Sequence, residues 1–306
     1  MTDGRASPNQ LGEGEADVEK NVRAIFNEQA EEYDHLRDLW YQYTFGFIRN
    51  VLEREFRLQT TGVNPLALDL GCGTGIQSLQ LASMGYRVVG IDIADKLVRI
   101  ANSKLKGYDG NFALTDLENL PFKDSIADCA NCCGPTLSFV PNWRRGLREI
   151  SRCLKRNGKL LLEVEGKWNP DLFWEILNAL RSNCLEYDED LNTAVRHLSP
   201  PWATGPTISY SFKTESGSSV PMPLKLFSGI ELRRELHSVG LIEDKKWGLH
   251  ALTNLIPSTI LHRSNPSART RAVFSALASL EKRVNQKWPV NDFACSVLVL
   301  AHKQAQ

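Results

Sequence analysis

Pro65-Leu66-Ala67-Leu68-Asp69-Leu70-Gly71-Cys72-Gly73-Thr74-Gly75-Ile76 is the stretch whose reading decides the fold. An apolar run stops at Leu70, glycines recur at Gly71, Gly73 and Gly75, and Leu79 and Ala82 then take up helical spacing until Gly85 closes the segment. The pattern reads as strand, tight turn, helix. Glycines at such a turn let the backbone bend sharply and come close to a bound molecule, because a side chain there would fill the ligand's space.

The same rhythm continues outward. Arg87 to Asp92 is a short apolar run of the kind buried in a parallel sheet, with Lys96 to Lys106 helical behind it. A third strand is expected near Asn111 to Leu114, a fourth over Ile126 to Cys133, and a fifth over Lys159 to Val164 after the helix Trp143 to Leu154 and a turn at Arg156-Asn157-Gly158. Strands alternating with helices predict an α/β fold: a doubly wound, mostly parallel sheet with helices on both faces. Upstream, Glu19 to Asn27 and Asp38 to Phe56 have helical periodicity. Downstream the rhythm breaks. A helix from Asp171 to Leu185 leads to Ser199-Pro200-Pro201, two β-like runs (Thr207 to Lys213, Val220 to Phe227) form a hairpin, and helix, strand, helix, strand complete the chain at Ser228 to Ser238, Leu241 to Trp247, Arg269 to Val284 and Phe293 to His302.

Of the 306 residues, 42% are hydrophobic and 24% charged, with 36 basic and 36 acidic side chains. That balance supplies no field for a phosphate backbone, so nucleic acid is not the expected partner, and no apolar run reaches the length of a membrane span. Met1 to Asp17, polar and rich in Gly and Asp/Glu, reads as a disordered cytoplasmic tail. Cysteine is odd in number, seven in all. Cys129, Cys132 and Cys133 fall at a buried strand end, which points to free thiols in a reducing compartment, and Cys129-x-x-Cys132 lacks the second pair a metal site needs.

The site is read from the acids that accompany the glycines. Asp92, ending the second strand, is placed to accept from two ribose hydroxyls. Asp116, after the third, can accept from an exocyclic adenine amine. Together with the turn they describe an adenosine site. The dinucleotide fingerprint would require its third glycine one position later, at Ile76, which disfavours a dehydrogenase.

Leu68 to Gly75 resembles, almost letter for letter, the first motif of class I (Rossmann-like) S-adenosylmethionine-dependent methyltransferases, and Val89-Gly90-Ile91-Asp92-Ile93 resembles their second-strand motif. Thr115-Asp116-Leu117 with Leu120-Pro121-Phe122, and Leu147-x-Glu149-Ile150-x-Arg152, are similar to later segments of that group. The resemblance implies a seven-stranded sheet with a reversed final strand, S-adenosylmethionine as cofactor, and cofactor contacts at Asp69, Gly71, Cys72, Gly73, Gly75, Asp92, Ile93, Asp116 and Leu117. Tyr33 falls where related enzymes close an N-terminal helix over the cofactor, and Cys132 and Cys133 where they line the space beside the methyl group. No Asn-Pro-Pro-Tyr sequence follows the fourth strand, which speaks against methylation of nucleic-acid bases or glutamine.

The expected organisation is a tail (1–17), N-terminal lid helices (18–60), a cofactor-binding core (61–165), an inserted cap (166–228) and completion of the sheet (229–306). The expected function is methyl transfer to an O, N or S atom of a small metabolite; the alternative is a methyltransferase-like binding module without turnover. Where the acceptor carries a proton at neutral pH, the candidate bases are Glu165, His197 and His250, with Glu165 ranked first because sheets of this type bind ligands beyond the carboxyl ends of their strands. Aromatic residues of the cap, among them Trp168, Trp174, Trp202 and Tyr210, would enclose a small, partly apolar substrate; enlarged core or a contact in a homodimer are the competing readings.

Overall fold

The computed structural model describes residues 13–35, 38–58, 64–168, 170–180, 185, 187, 200, 203–213 and 219–305. Helices α1 (Glu13–Glu28) and α2 (Leu39–Glu55) precede the sheet. Helix α2 starts where its periodicity does, because the Asp38 carboxylate accepts from the Tyr41 amide as N-cap. Helix α1 starts earlier than composition suggested: Glu13 to Asp17, assigned to the tail, form its first turn. The rest of the expected tail lies outside the described residues.

Strands and helices then alternate: β1 (Leu66–Leu70), α3 (Ile76–Ser83), β2 (Arg87–Asp92), α4 (Asp95–Lys104), β3 (Gly110–Leu114), β4 (Ala127–Cys132), α5 (Trp143–Cys153) and β5 (Leu154–Glu165). After β5 come α6 (Asp171–Leu180), the hairpin β6 (Thr207–Lys213) and β7 (Ser219–Lys225), α7 (Gly229–Ser238), β8 (Leu241–Leu249), α8 (Ala268–Val284) and β9 (Ser296–Lys303). Seven strands form one sheet in the order β3-β2-β1-β4-β5-β9-β8, with β1 to β5 parallel and β9 antiparallel to both its neighbours. This is the expected doubly wound sheet with a reversed last strand.

Period-two alternation splits the core. Leu68, Leu70, Leu160, Leu162 and Val164 pack with Leu147 and Ile150 of α5 and Leu232 and Leu236 of α7. Ala67, Cys129, Leu161 and Leu298 turn the other way, onto Ile48, Val51 and Leu52 of α2. Burying such a leucine is worth about 1.5–3 kcal/mol. The expected turn at Arg156-Asn157-Gly158 lies inside β5. Asn157 takes φ +59°, and the pairing with β4 shifts register between Ala127 and Cys129, so the turn residues serve a bulge. The hairpin is a separate two-stranded sheet whose Met222 and Val220 pack on Val22 and Ile25 of α1.

Candidate active site

Crossovers leave β1 and β4 toward opposite edges of the sheet, so a crevice opens between their carboxyl ends, where such sheets bind ligands. Gly71, Gly73 and Gly75 all lie in the left-handed region (φ +73°, +53° and +81°), and they serve two different ends. A Cβ at Gly71 would collide with Thr136, and one at Gly75 would come within 2.9 Å of Ala101, so these two permit close packing of the turn on its neighbours. At Gly73 the nearest atom would be Tyr33 Cε1 at 3.7 Å; the space over this residue is open. It faces a cleft of about 1040 Å³ including its open mouth.

That cleft gathers Tyr33, Gly71, Gly73, Asp92, Ile93, Asp116 and Leu117 from the sequence reading. Cys72 lines a smaller neighbouring cavity with Gly73 and Tyr33. Asp69, Gly75 and Cys132 line neither. Asp69 is fully buried and accepts from Ser78 Oγ and, at 2.8 Å, from Asn131 Nδ2, which pins the turn to α3 and β4. Cys132 faces the apolar core on the α5 side, where burial pushes its thiol up to about 12. Alternation puts Cys133, not Cys132, at the cleft wall.

Asp92 accepts from the Gly73 amide (2.9 Å) and the Ala94 amide (2.9 Å), one per carboxylate oxygen. Burial raises its carboxyl above the ordinary value while these amides pull it back. Each oxygen keeps a free lone-pair direction, the capacity a vicinal diol requires. Asp116 is held by the Asn119 side chain at 3.3 Å.

The N-terminal segment closes the cleft. Asp34 accepts from Thr74 Oγ1 (2.6 Å) and pairs with Lys104, bringing Tyr33 over the glycine turn. Asn27, near the end of α1, donates to Asp95 Oδ1 (2.8 Å) and accepts from the Lys96 amide (2.9 Å), tethering α1 to the first turn of α4. Glu19, Val22 and Phe26 of α1 and Gly134, Thr136 and Phe139 after β4 are also among the lining residues. Gly134 belongs to the stretch Asn131-Cys132-Cys133-Gly134 that the resemblance placed beside the methyl group; the other five were missed. The spacing of Val22 and Phe26, four apart on one helix, was the available signal.

Of the three base candidates, His197 lies outside the described residues. His250 is a correction: it is fully buried at φ +58°, stacked on Trp40 (ring centroids 3.6 Å apart), with Nε2 2.7 Å from Thr44 Oγ1 and Nδ1 2.9 Å from Thr253 Oγ1. Both ring nitrogens are engaged, it lines neither cavity, and burial followed by His262 pushes it well below its ordinary value; it is a core histidine. Glu165 ends β5 on the α2 side of the sheet. Its amide donates to Ser138 Oγ (3.0 Å), one residue before the cleft residue Phe139. Burial first, then Glu163 and Asp171, push its carboxyl up to about 8.

Residues 68–162 match the methyltransferase domain family. A demethylmenaquinone methyltransferase of Thermotoga maritima is 34% identical over 148 residues, covering 47% of this chain and 62% of that protein. A ubiquinone biosynthesis O-methyltransferase of Xanthomonas axonopodis is 32% identical over 35% of this chain and 45% of its own length. The chain thus spans less than two thirds of either relative. Among solved structures, the cyclase SpnF superposes with a TM-score of 0.57 at 16% identity over 94% of this chain and 98% of that one. An S-adenosylmethionine-dependent methyltransferase of Thermotoga maritima does so at 0.51 and 16%, over 92% and 99%. At such identities the likeness is one of fold, and a fold hosts more than one chemistry. Residues 68–162 thus match the methyltransferase domain family, and the sheet they build with β8 and β9 has the fold of these solved structures.

Proposed function

We propose that the protein transfers a methyl group from S-adenosylmethionine to an O, N or S atom of a small metabolite. The observation that carries this reading is the convergence of Gly73, Asp92 and Asp116 on one cleft at the switch point of the sheet. The chain's residues fit the cofactor: the open space over Gly73 and Gly134, where an added Cβ at Gly134 meets nothing within 4 Å, is a cradle for its amino-acid end. Asp92 would hold the ribose, Asp116 and Leu117 the adenine, and Ile93 one face of the ring, while Tyr33 and α1 cover the site. The cofactor supplies an electrophilic methyl. What the chain supplies is position: holding nucleophile and methyl collinear and dry is worth about 7–11 kcal/mol in favourable cases.

In this reading α1, the hairpin and α6 are the cap over a small acceptor, and residues 18–306 act as one unit. The setting is cytoplasmic, where thiols stay reduced; the six described cysteines are free and buried. Among the described residues no helix is long and apolar enough to cross a membrane. Both named relatives act on quinone precursors or products in their names, so a phenolic acceptor joins amines and thiols in the first screen. Calorimetric titration with S-adenosylhomocysteine, with nicotinamide dinucleotides in parallel, tests the reading. Binding of the first alone is expected; preference for a dinucleotide overturns it, and turnover of any acceptor separates an enzyme from a binding module.

A further inference from the structure

Helix α8 has a face that neither the core nor the cleft uses. Its inner side is committed: Phe274 and Ala278 pack with Tyr43, Leu249 and Leu261, and Glu281 accepts from the His250, Leu252 and Thr253 amides. Its outer side carries Val273 and Leu280, 45% and 50% exposed. They are seven residues apart, two helical turns, so they stand in one line along the helix. Trp288 follows just past the helix end, after a turn closed by the Lys287 amide on the Val284 carbonyl (2.8 Å), and at 76% it is the most exposed large apolar side chain among the described residues. Exposed apolar side chains met singly need no explanation; three in succession along one helix and the turn that ends it form a surface.

Charge is segregated on the same segment. The chain as a whole is neutral, with 36 basic and 36 acidic residues. From His262 to Asn291 the lysines and arginines are Arg263, Arg269, Arg271, Lys282, Arg283 and Lys287, all exposed, and the single acid is Glu281, which is buried and bound to backbone amides. The next acid, Asp292, is paired with Lys246. Two of the six cations are engaged by the protein: Lys282 lies over the Tyr43 ring (5.6 Å to its centroid), and Arg271 donates to Asn265 Oδ1 (2.9 Å). Arg269, four residues before Val273, and Arg283, three after Leu280, share the face of that apolar pair by helical spacing. Neither they nor Lys287, beside Trp288, make an ion pair with the described residues.

A nucleic-acid backbone would use the cations and leave the apolar line in water. A second copy of the chain would bring like charges face to face, which opposes docking. Neither described cavity lies on this face, so no groove there receives a partner's side chain. An anionic bilayer surface takes both features at once: headgroup phosphates accept from arginine and lysine, while apolar side chains and a tryptophan ring settle at the boundary between headgroups and acyl chains. We propose that the outer face of α8, with Trp288, is a docking surface for an anionic lipid bilayer, on which the protein rests without spanning it. The proposal stands apart from the methyl-transfer reading, since none of these residues lines the cofactor cleft. Docking is reversible and weakens with salt, because it joins a few shallow apolar anchors to screened charges.

The test is co-sedimentation of the full chain with vesicles of phosphatidylcholine alone and of phosphatidylcholine with about 30% phosphatidylglycerol, enough to give a negative surface potential. At low salt the anionic vesicles are expected to bind at least about ten-fold more tightly than the neutral ones, since each basic residue near such a surface contributes about five-fold. Leu280→Ser with Trp288→Ser removes apolar anchors and keeps the charge; Arg269→Gln with Arg283→Gln and Lys287→Gln does the reverse. Either set should weaken binding to anionic vesicles by about ten-fold or more, with the melting temperature unchanged because all five side chains are exposed. No binding to either vesicle, equal binding to both, or binding that survives either set overturns the proposal. So does a dimer, seen by light scattering without lipid, that the Leu280→Ser, Trp288→Ser protein no longer forms, which would assign the face to a second copy of the chain.

Discussion

Asp92 and Glu165 both end parallel strands as half-buried carboxylates, and their partners set them apart. Asp92 is tied to the backbone of the turn it serves, so Asp92→Ala removes ligand contacts and leaves two amides unpaired. We expect S-adenosylhomocysteine affinity to fall by about 100-fold or more, with a modest drop in melting temperature, since each unsatisfied amide costs about 1–3 kcal/mol. Gly73→Val should abolish binding through its φ of +53° and the filled cradle; calorimetry checks both. Glu165 makes a different prediction. Its carboxyl is raised from 4.5 to about 8, so the folded state holds a proton that the unfolded chain releases. The stability this contributes is full below about pH 4.5 and is lost as pH rises toward 8, by at most about 1.4 kcal/mol per pH unit. Glu165→Gln should therefore match the parent in urea melts at pH 5 and exceed it at pH 8; a constant difference would mean the carboxyl is solvated. The place of Asp92 at the cleft was legible because a strand end fixes where its last side chain goes, and Asp116 follows two residues beyond the end of the next strand. His250 was not: a histidine after a strand looks alike in sequence whether it faces a ligand or a tryptophan, and only packing against Trp40 decides.

At the scale of elements, the strands were legible because strands buried in a parallel sheet read as continuous apolar runs, and Arg87 to Asp92 and Lys159 to Val164 are such runs. The turn at Arg156 to Gly158 misled because glycine and asparagine permit a bulge as readily as a chain reversal. Helix α1 was recognised as a helix, yet its place as a cleft wall was invisible, since the contacts that put it there join Asn27 to residues 95 and 96. These bonds tie a lid to the helix that follows Asp92. Asn27→Ala removes both, and at about 1 kcal/mol each the expected consequence is a several-fold to 30-fold loss of S-adenosylhomocysteine affinity, seen mainly as faster dissociation in stopped-flow fluorescence. An unchanged dissociation rate would show that α1 does not retain the ligand.

At the scale of the whole molecule, α2, which precedes the sheet in sequence, and α8, which lies between its last two strands, meet around His250. Its ring bridges Thr44 on α2 and Thr253 beyond β8, stacks on Trp40, and its amide donates to Glu281 of α8 at 3.0 Å. The Glu281 carboxylate is itself buried and also accepts from the Leu252 and Thr253 amides. One imidazole thereby joins the segment before the sheet to the segment that completes it, far from Asp92. His250→Phe keeps an aromatic ring against Trp40 and removes both nitrogens, leaving the buried Thr44 hydroxyl without its partner and the Thr253 hydroxyl with Glu281 alone. The expected loss is about 2–4 kcal/mol in urea unfolding, with S-adenosylhomocysteine affinity unchanged at temperatures where the fold is intact. A general base would give the opposite pair of results, with stability held and methyl transfer lost. Measuring unfolding and turnover on that single variant therefore decides whether His250 holds the molecule together or acts on its substrate.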